Sequence, residues 1–150
     1  MTGVSPGRGV LDTSTILVLG RLGASAELPA EPLMTTVTLA ELSVGPLVAT
    51  NGTDRAARQA RLQQAEADFD PLPFDAGSAR TFGRVAASLQ AAGRKVQARS
   101  YDAMIAATAI ANGLPVYTVS PSDFRGIDGL DLRAVPHPDS STATPEPGGS

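Results

Sequence analysis

The chain has 150 residues, of which 42% are hydrophobic, and this size fits one domain that buries about two-thirds of its unfolded surface. A net charge of −3, no cysteine and one histidine exclude disulfides, thiolate zinc sites and multi-histidine metal sites within the chain, and argue against a broad basic surface. The aromatic residues, two Tyr and four Phe, argue against a platform of stacked rings for nucleic-acid bases.

The first part of the chain predicts two strands and three helices. The apolar run 9–11 predicts a strand, and the apolar residues 16–19, after a short polar turn, predict a brief helix. Residues 33–37, rich in Thr and Val, predict a second strand. The leucine spacing over 38–48 and the Ala, Arg and Gln content of 54–68 predict two longer helices.

The second part of the chain continues this alternation. Residues 71–74 are expected to form only a short edge strand, because two of the four are proline. Residues 75–92 predict a helix, and residues 100–111 predict one that is apolar almost all round and therefore buried. Residues 116–119 and 130–135 predict the last two strands. The alternation favours an α/β fold with a parallel sheet and helices on both faces.

Both ends of the chain are predicted to lie outside this domain, which spans 9–135. Residues 1–8 are expected to be flexible, and residues 136–150 have almost nothing apolar to bury, which predicts a disordered tail. No apolar run approaches the roughly 20 residues that span a bilayer, and the N-terminus lacks the apolar core of a signal peptide. We therefore expect a cytoplasmic protein with no membrane partner.

Four carboxylates occupy comparable places in this predicted scheme. Asp12 and Asp123 follow strands, and Glu41 and Asp102 lie in the first turns of two helices. Ligands of an open parallel sheet bind in the crevice outside the carboxyl ends of its strands. Converging carboxylates repel one another, and a hard divalent cation relieves that repulsion. With no thiol and no usable histidine, magnesium or manganese fits better than zinc.

Each of these carboxylates also has a purely structural interpretation. Thr38 and Glu41 match a capping box, in which Thr38 caps a helix and Glu41 reaches back to its start. Ser100 is a plausible N-cap, and an acid at Asp102 is favoured by the helix dipole. The other two carboxylates could be turn residues. Any one of the four is weak support for a metal site, and the set of four in this order is stronger.

Three stretches carry motifs with a family pattern. Residues 10–14 read Val-Leu-Asp-Thr-Ser, and residues 38–42 read Thr-Leu-Ala-Glu-Leu. The third and most specific stretch reads Asp-Ala-Met-Ile-Ala-Ala-Thr-Ala over 102–109, Gly-Leu-Pro-Val-Tyr-Thr over 113–118, and then Asp-Phe at 123–124. Together they resemble a PIN-domain ribonuclease, and most of all the VapC toxins of type II toxin–antitoxin pairs.

This resemblance implies a PIN-like α/β/α sandwich with a central, mainly parallel sheet and a magnesium-dependent endoribonuclease site. Asp12, Glu41 and Asp102 would take the family's metal-binding acidic roles. Many members carry Asp or Asn where this chain has Ser120, so either Asp123 supplies the fourth acid or the site uses three acids and Ser120. In such a site a metal-activated water cleaves the RNA phosphodiester bond, and no side chain forms a covalent intermediate.

Other polar residues are candidates to support this chemistry. Thr13 and Ser14 could orient the waters of the metal or a phosphate oxygen, or they could simply cap the helix that follows. The densest basic group is Arg94, Lys95 and Arg99. These three residues could contact RNA phosphates, or they could be a solvated surface stretch.

The resemblance also implies an RNA substrate, a homodimer, and a VapB-like antitoxin that joins the toxin in a heterotetramer or larger assembly. Five apolar residues could line the antitoxin groove or belong to the core: Leu17, Leu19, Leu42, Val44 and Leu47. Because Ser120 stands where an acid is usual, the alternative function is a catalytically weak PIN-like module that binds RNA or an antitoxin.

Overall fold

The computed structural model describes residues 7–140. Residues 1–6 and 141–150, which hold most of the predicted flexible N-terminus and disordered tail, lie outside this range. The first strand begins at Arg8, one residue before the predicted start of the domain. Within residues 7–140, no helix is both long and apolar enough to cross a membrane.

A four-stranded parallel sheet forms the centre of the fold. Its strands are β1 (Arg8–Leu11), β2 (Glu31–Leu33), β3 (Val116–Thr118) and β4 (Leu132–Ala134), in the order β2-β1-β3-β4. Because β1 and β3 are neighbours at the centre and run in the same direction, their carboxyl ends open side by side at one edge of the sheet. The predicted α/β class with a parallel sheet is confirmed.

Helices and short 3₁₀ turns connect these strands in the described part of the chain. The helices are α1 (Thr13–Val18), α2 (Thr36–Val48), α3 (Gly52–Asp68), α4 (Ala76–Ala91) and α5 (Ser100–Ala111). The 3₁₀ turns are Leu19–Arg21, Gln97–Arg99 and Pro121–Phe124.

The helices cover both faces of the sheet. Val10 packs with Ile105 of α5 on one face, whereas the next residue, Leu11, packs with Ile16 of α1 on the other. Side chains alternate along a strand, so consecutive residues serve opposite faces. Helix α5 also packs against α4 through Ala103. Its central residues are fully buried, which confirms the prediction made from its apolar sequence.

The start of α2 differs from the prediction. The predicted strand over 33–37 is wrong over most of its length, because β2 is Glu31–Leu33 and the helix begins at Thr36. The N-cap is Thr35, whose hydroxyl accepts a hydrogen bond from the Thr38 backbone N–H at 3.3 Å. The proposed capping box of Thr38 and Glu41 is therefore wrong, and Glu41 lies in the second turn of α2.

The predicted edge strand over 71–74 is reduced to one bridge. Leu72 pairs with Thr35, donating its N–H to the Met34 carbonyl at 2.9 Å and accepting from the Thr36 N–H at 2.9 Å. The flanking prolines carry no N–H, so the ladder stops after this bridge. Leu72 thereby ties the segment before α4 to the start of α2.

Candidate metal centre

Asp12 is a buried carboxylate at the carboxyl end of β1 and caps α1. One carboxylate oxygen accepts from the N–H and the hydroxyl of Thr15, at 3.2 and 2.5 Å. The other accepts from the hydroxyls of Ser14, at 2.8 Å, and of Thr118, at 2.9 Å. Burial raises the pKa of Asp12, and the hydroxyl donors partly offset this rise. Asp12 caps the helix, so the interpretation of Ser14 or Thr13 as that cap is wrong.

Glu41 faces the same edge of the sheet from α2. Its carboxylate accepts from the Thr13 hydroxyl at 2.6 Å. That hydroxyl also lies 2.9 Å from the Thr38 hydroxyl, so Thr13 connects α1 to the first two turns of α2. Burial raises the pKa of Glu41, and the nearby charge of Asp12 adds to this rise, while the Thr13 hydroxyl opposes it.

Asp102 lies in the first turn of α5. Burial raises its pKa to about 7, and the charges of Asp123, Asp12 and Glu41 add to the rise, while Arg99 opposes it. The four predicted acids therefore share one electrostatic field. The expectation that Ser100 caps α5 is wrong. The cap position is Arg99, and the Ser100 hydroxyl donates to the carbonyls of Val96 and Gln97.

Asp123 lies in the 3₁₀ turn after β3 and forms an ion pair with Arg99, at 3.1 Å. This pair holds Arg99, one of the three basic residues predicted to contact phosphates, against the acidic cluster. The half-buried Ser120 donates its backbone N–H to the Thr118 hydroxyl at 2.9 Å. Ser120 is thus linked to Asp12 through Thr118.

The donor set fits a hard divalent cation. All four acids offer only oxygen ligands, which magnesium prefers over nitrogen or sulfur. No group of three or more Asp, Glu, His or Cys side chains between residues 7 and 140 is arranged to hold a metal ion. Magnesium typically takes one or two carboxylates directly and keeps several waters.

Threonine hydroxyls at Thr15, Thr38 and Thr118 surround the acidic cluster, and of these three the sequence predicted a role only for Thr38, as a helix cap. All three side chains are fully buried. A buried hydroxyl needs a partner, and a threonine just after or at the end of an apolar strand is the signal that could have identified Thr15 and Thr118. They fix the orientation of Asp12.

The five apolar residues proposed for a groove differ in burial. Leu42 is buried and packs in the core, and the partly buried Leu19 packs against the core around Leu11. Leu17, Val44 and Leu47 are exposed, Leu47 to 84%, so for them assignment to the core is wrong. A cavity of about 410 Å³ is lined by residues that include Leu17, Leu19 and Leu42.

Comparison with known proteins identifies the class. A family model described as PIN domain matches residues 10–129, and the fold with its acidic cluster is that of a PIN-domain protein. The chain is 42% identical over 127 residues to ribonuclease VapC5 of Mycobacterium tuberculosis, covering 83% of this chain and 91% of that protein. It is 28% identical to ribonuclease VapC1 of Rickettsia felis, covering 84% and 95%. The chain belongs to the PIN-domain family and, within it, to the VapC ribonucleases.

Solved structures share the fold. One is a member of the VapBC family of toxin–antitoxin systems, VapBC-5 from Mycobacterium tuberculosis. It matches with a TM-score of 0.71 and 36% identity, covering 87% of this chain and 100% of that one. The DNA-bound VapBC from Salmonella typhimurium matches with a TM-score of 0.66 at 24% identity, covering 86% and 98%. The second match shows the shared fold.

Proposed function

We propose that this chain is a magnesium-dependent endoribonuclease and the toxin of a toxin–antitoxin pair, with manganese able to replace magnesium. The observation that carries the proposal is the meeting of Asp12, Glu41, Asp102 and Asp123 at the carboxyl edge of the sheet, where burial and then the charges of the other three acids raise the pKa of Asp102 to about 7. A cluster of carboxylates at this edge of a parallel sheet is typical of a cation site. The similarity to ribonuclease VapC5 supports RNA as the substrate.

Each acid has a distinct part in this mechanism. Asp12, held by four donors, keeps one fixed orientation, and Glu41 is tethered through Thr13. Asp102 and Asp12 would hold the ion, with Glu41 and Asp123 acting on its waters. When bound, a divalent ion stabilises charge on the phosphate and lowers the pKa of the attacking water. A carboxylate of the cluster accepts the proton that this water loses.

The partners follow from the family and from the exposed apolar residues. We propose a homodimer that binds a VapB-like antitoxin. Support for the antitoxin comes from the similar solved structure VapBC-5, which is described as a member of the VapBC family of toxin–antitoxin systems. Leu17 and the exposed end of α2 are the surface offered to the antitoxin. Exposed apolar residues beside a cavity are a common feature of interaction sites.

One observation favours the second candidate, a PIN-like module with weak cleavage. The Arg99–Asp123 ion pair occupies the fourth acid, and Ser120 stands at the position where an acid is usual. Three acids with one cation nearby bind a divalent ion less tightly than four free acids.

Cleavage of RNA in vitro tests the proposal. The wild type is expected to degrade RNA with magnesium or manganese and to leave it intact in excess chelator. Asp102→Asn is expected to lower the rate at least 100-fold, on the order of the loss of a major catalytic electrostatic group. The matched control is Asp70→Asn, an exposed acid that does not line the site, which should retain wild-type activity. Equal cleavage by Asp102→Asn, or cleavage in chelator, would contradict the metal-site assignment, and binding without cleavage would support the second candidate.

A further inference from the structure

A basic pocket of about 580 Å³ lies next to the acidic cluster, lined by the side chains of Arg94, Lys95, Arg99 and Arg125 among others. Arg94 builds one wall, because its guanidinium donates to the carbonyls of Ser122, at 2.9 Å, and Arg125, at 2.8 Å. These two hydrogen bonds hold the 3₁₀ turn Pro121–Phe124 and the residue after it against the C-terminal end of α4.

Two glycines allow this close approach. Gly93, just after α4, has a φ of 77° and Gly126 has a φ of 92°, a region that side chains rarely adopt. A Cβ on Gly126 would also lie 3.0 Å from the Cβ of Ala92. The shape of the basic pocket is therefore set by the backbone as well as by side chains.

The four basic side chains differ in what they contact. Arg94 is held by the two carbonyls, and Arg99 is paired with Asp123. Lys95 and Arg125 are exposed, and neither side chain has a hydrogen bond or ion pair with another residue between 7 and 140. Two free cations that line one pocket repel each other, and a bound phosphate removes that repulsion.

The basic pocket continues into the acidic cluster. Arg99 also lines the neighbouring cavity, of about 540 Å³, together with Glu41, Tyr101 and Asp102. Tyr101 directly precedes Asp102, and 52% of its surface is exposed although it is large and aromatic. An exposed aromatic ring beside a phosphate-binding groove is a surface on which a base can stack, and one such stack contributes about 1–3 kcal/mol.

We propose that Lys95 and Arg125 hold a backbone phosphate of the RNA next to the one that is cut, and that a base of the same strand stacks on Tyr101. This inference rests on the proposed function. The three residues determine affinity for the RNA and its placement over the acids. They do not take part in the chemical step.

Lys95 also follows the C-terminal end of α4, where a cation is favoured by the helix dipole. A purely structural role of this kind predicts a loss of stability without a change in RNA binding. RNA affinity and thermal stability must therefore be measured on the same variants.

The experiment uses the full chain in excess chelator and a short fluorescein-labelled single-stranded RNA. Anisotropy gives the Kd between about 50 and 200 mM salt. The double variant Lys95→Gln, Arg125→Gln is expected to bind RNA more weakly. The slope of log binding constant against log salt concentration should become shallower by about 0.7 for each RNA phosphate that the variant no longer neutralises. Tyr101→Ala should raise the Kd about 5- to 100-fold with the salt dependence unchanged. Tyr101→Phe should bind as the wild type does.

The matched control is Arg80→Gln, an exposed arginine in the first half of α4. The inference would be overturned if Arg80→Gln lost as much affinity as the double variant. It would also be overturned if the double variant and Tyr101→Ala had the Kd of the wild type, or if the wild type did not bind RNA. If the wild type cleaves RNA with magnesium but the variants bind RNA as tightly as the wild type does, this inference is overturned and the proposed function stands. Absence of both binding and cleavage would overturn the proposed function as well.

Discussion

At the scale of single residues, the acids of the cluster are stabilised to very different degrees. Asp12 accepts four hydrogen bonds, whereas Asp102 accepts none from the residues that the structure describes. Both have raised pKa values, but only for Asp102 do three other carboxylates contribute to the rise. The electrostatic strain of the metal-free protein is therefore concentrated at Asp102.

This strain predicts a pH-dependent stability. Because the pKa of Asp102 rises from 3.8 to about 7 on folding, the folded state holds this proton more tightly than the unfolded state. The resulting stabilisation is fully present below about pH 4 and is lost as the pH rises through 7. In chelator at pH 8, Asp102→Asn is expected to raise the free energy of unfolding by about 1–2 kcal/mol, a value reduced for solvent screening at this half-buried group.

Thermal unfolding in chelator at pH 5 and pH 8 measures this effect. The Tm of Asp102→Asn should exceed that of the wild type by about 3–8 °C at pH 8, and by less at pH 5. The difference should shrink when magnesium is added, because the ion is expected to bind the wild type more tightly than the variant. A Tm difference that is independent of pH would show that Asp102 is not under this repulsion.

At the scale of elements, the N-terminal end of α2 decides where Glu41 lies. Thr35 caps the helix and also forms the bridge to Leu72. Thr38 and Glu41 follow on successive turns, and both are linked to Thr13. A change at the cap is therefore expected to shift an acid of the proposed metal centre.

Two helix caps can be compared to separate stability from function. Thr35→Ala and Asn51→Ala each remove the side-chain cap of one helix, α2 and α3, and each is expected to cost about 1 kcal/mol, with more for the fully buried Thr35. Only Thr35→Ala is expected to lower the cleavage rate, by about tenfold, because of these two helices only α2 carries an acid of the proposed metal centre. Chemical denaturation and the RNA assay together check this. An equal effect on cleavage from both variants would contradict it.

The same helix start shows which features the sequence could predict. The strand over 9–11 and the buried helix over 100–111 were predicted because their apolar patterns are unambiguous. The residues around Thr35 were predicted as strand because β-branched residues favour strands, but that preference depends on context. Here a threonine hydroxyl caps a helix instead.

The acidic cluster was predictable for a topological reason, since parallel strands bring their carboxyl ends to one edge. The hydrogen bonds and ion pairs that set the pKa values of these acids were not predictable. The Arg99–Asp123 pair joins residues 24 positions apart, and Thr118 reaches Asp12 across 106 positions. Contacts of this kind depend on the packing of elements that no local pattern specifies.

At the scale of the whole molecule, apolar side chains on α1 and α2 remain outside the core. Leu17, Val44, Leu47 and Val48 are exposed. A surface of this kind is stabilised when a partner covers it, and the proposed antitoxin is that partner.

Leu47→Ser tests this surface. Since Leu47 is 84% exposed, the substitution should change the free energy of unfolding by less than about 0.5 kcal/mol. It should nevertheless reduce copurification with the cognate antitoxin. The contrasting variant is Leu42→Ala. Because Leu42 is buried, this substitution should lower the free energy of unfolding by about 2–5 kcal/mol. Full retention of the antitoxin by Leu47→Ser would exclude this residue from the interface.

The repulsion around Asp102 also has a consequence for how this protein can evolve. Most substitutions in a natural protein destabilise it, but loss of the Asp102 carboxylate is expected to stabilise the fold. A lineage that no longer needs the proposed cleavage would therefore lose Asp102 by drift, without harm to its folding or to its partner surface. Asp12 is different, because it also caps α1 and would be kept by the requirements of the fold.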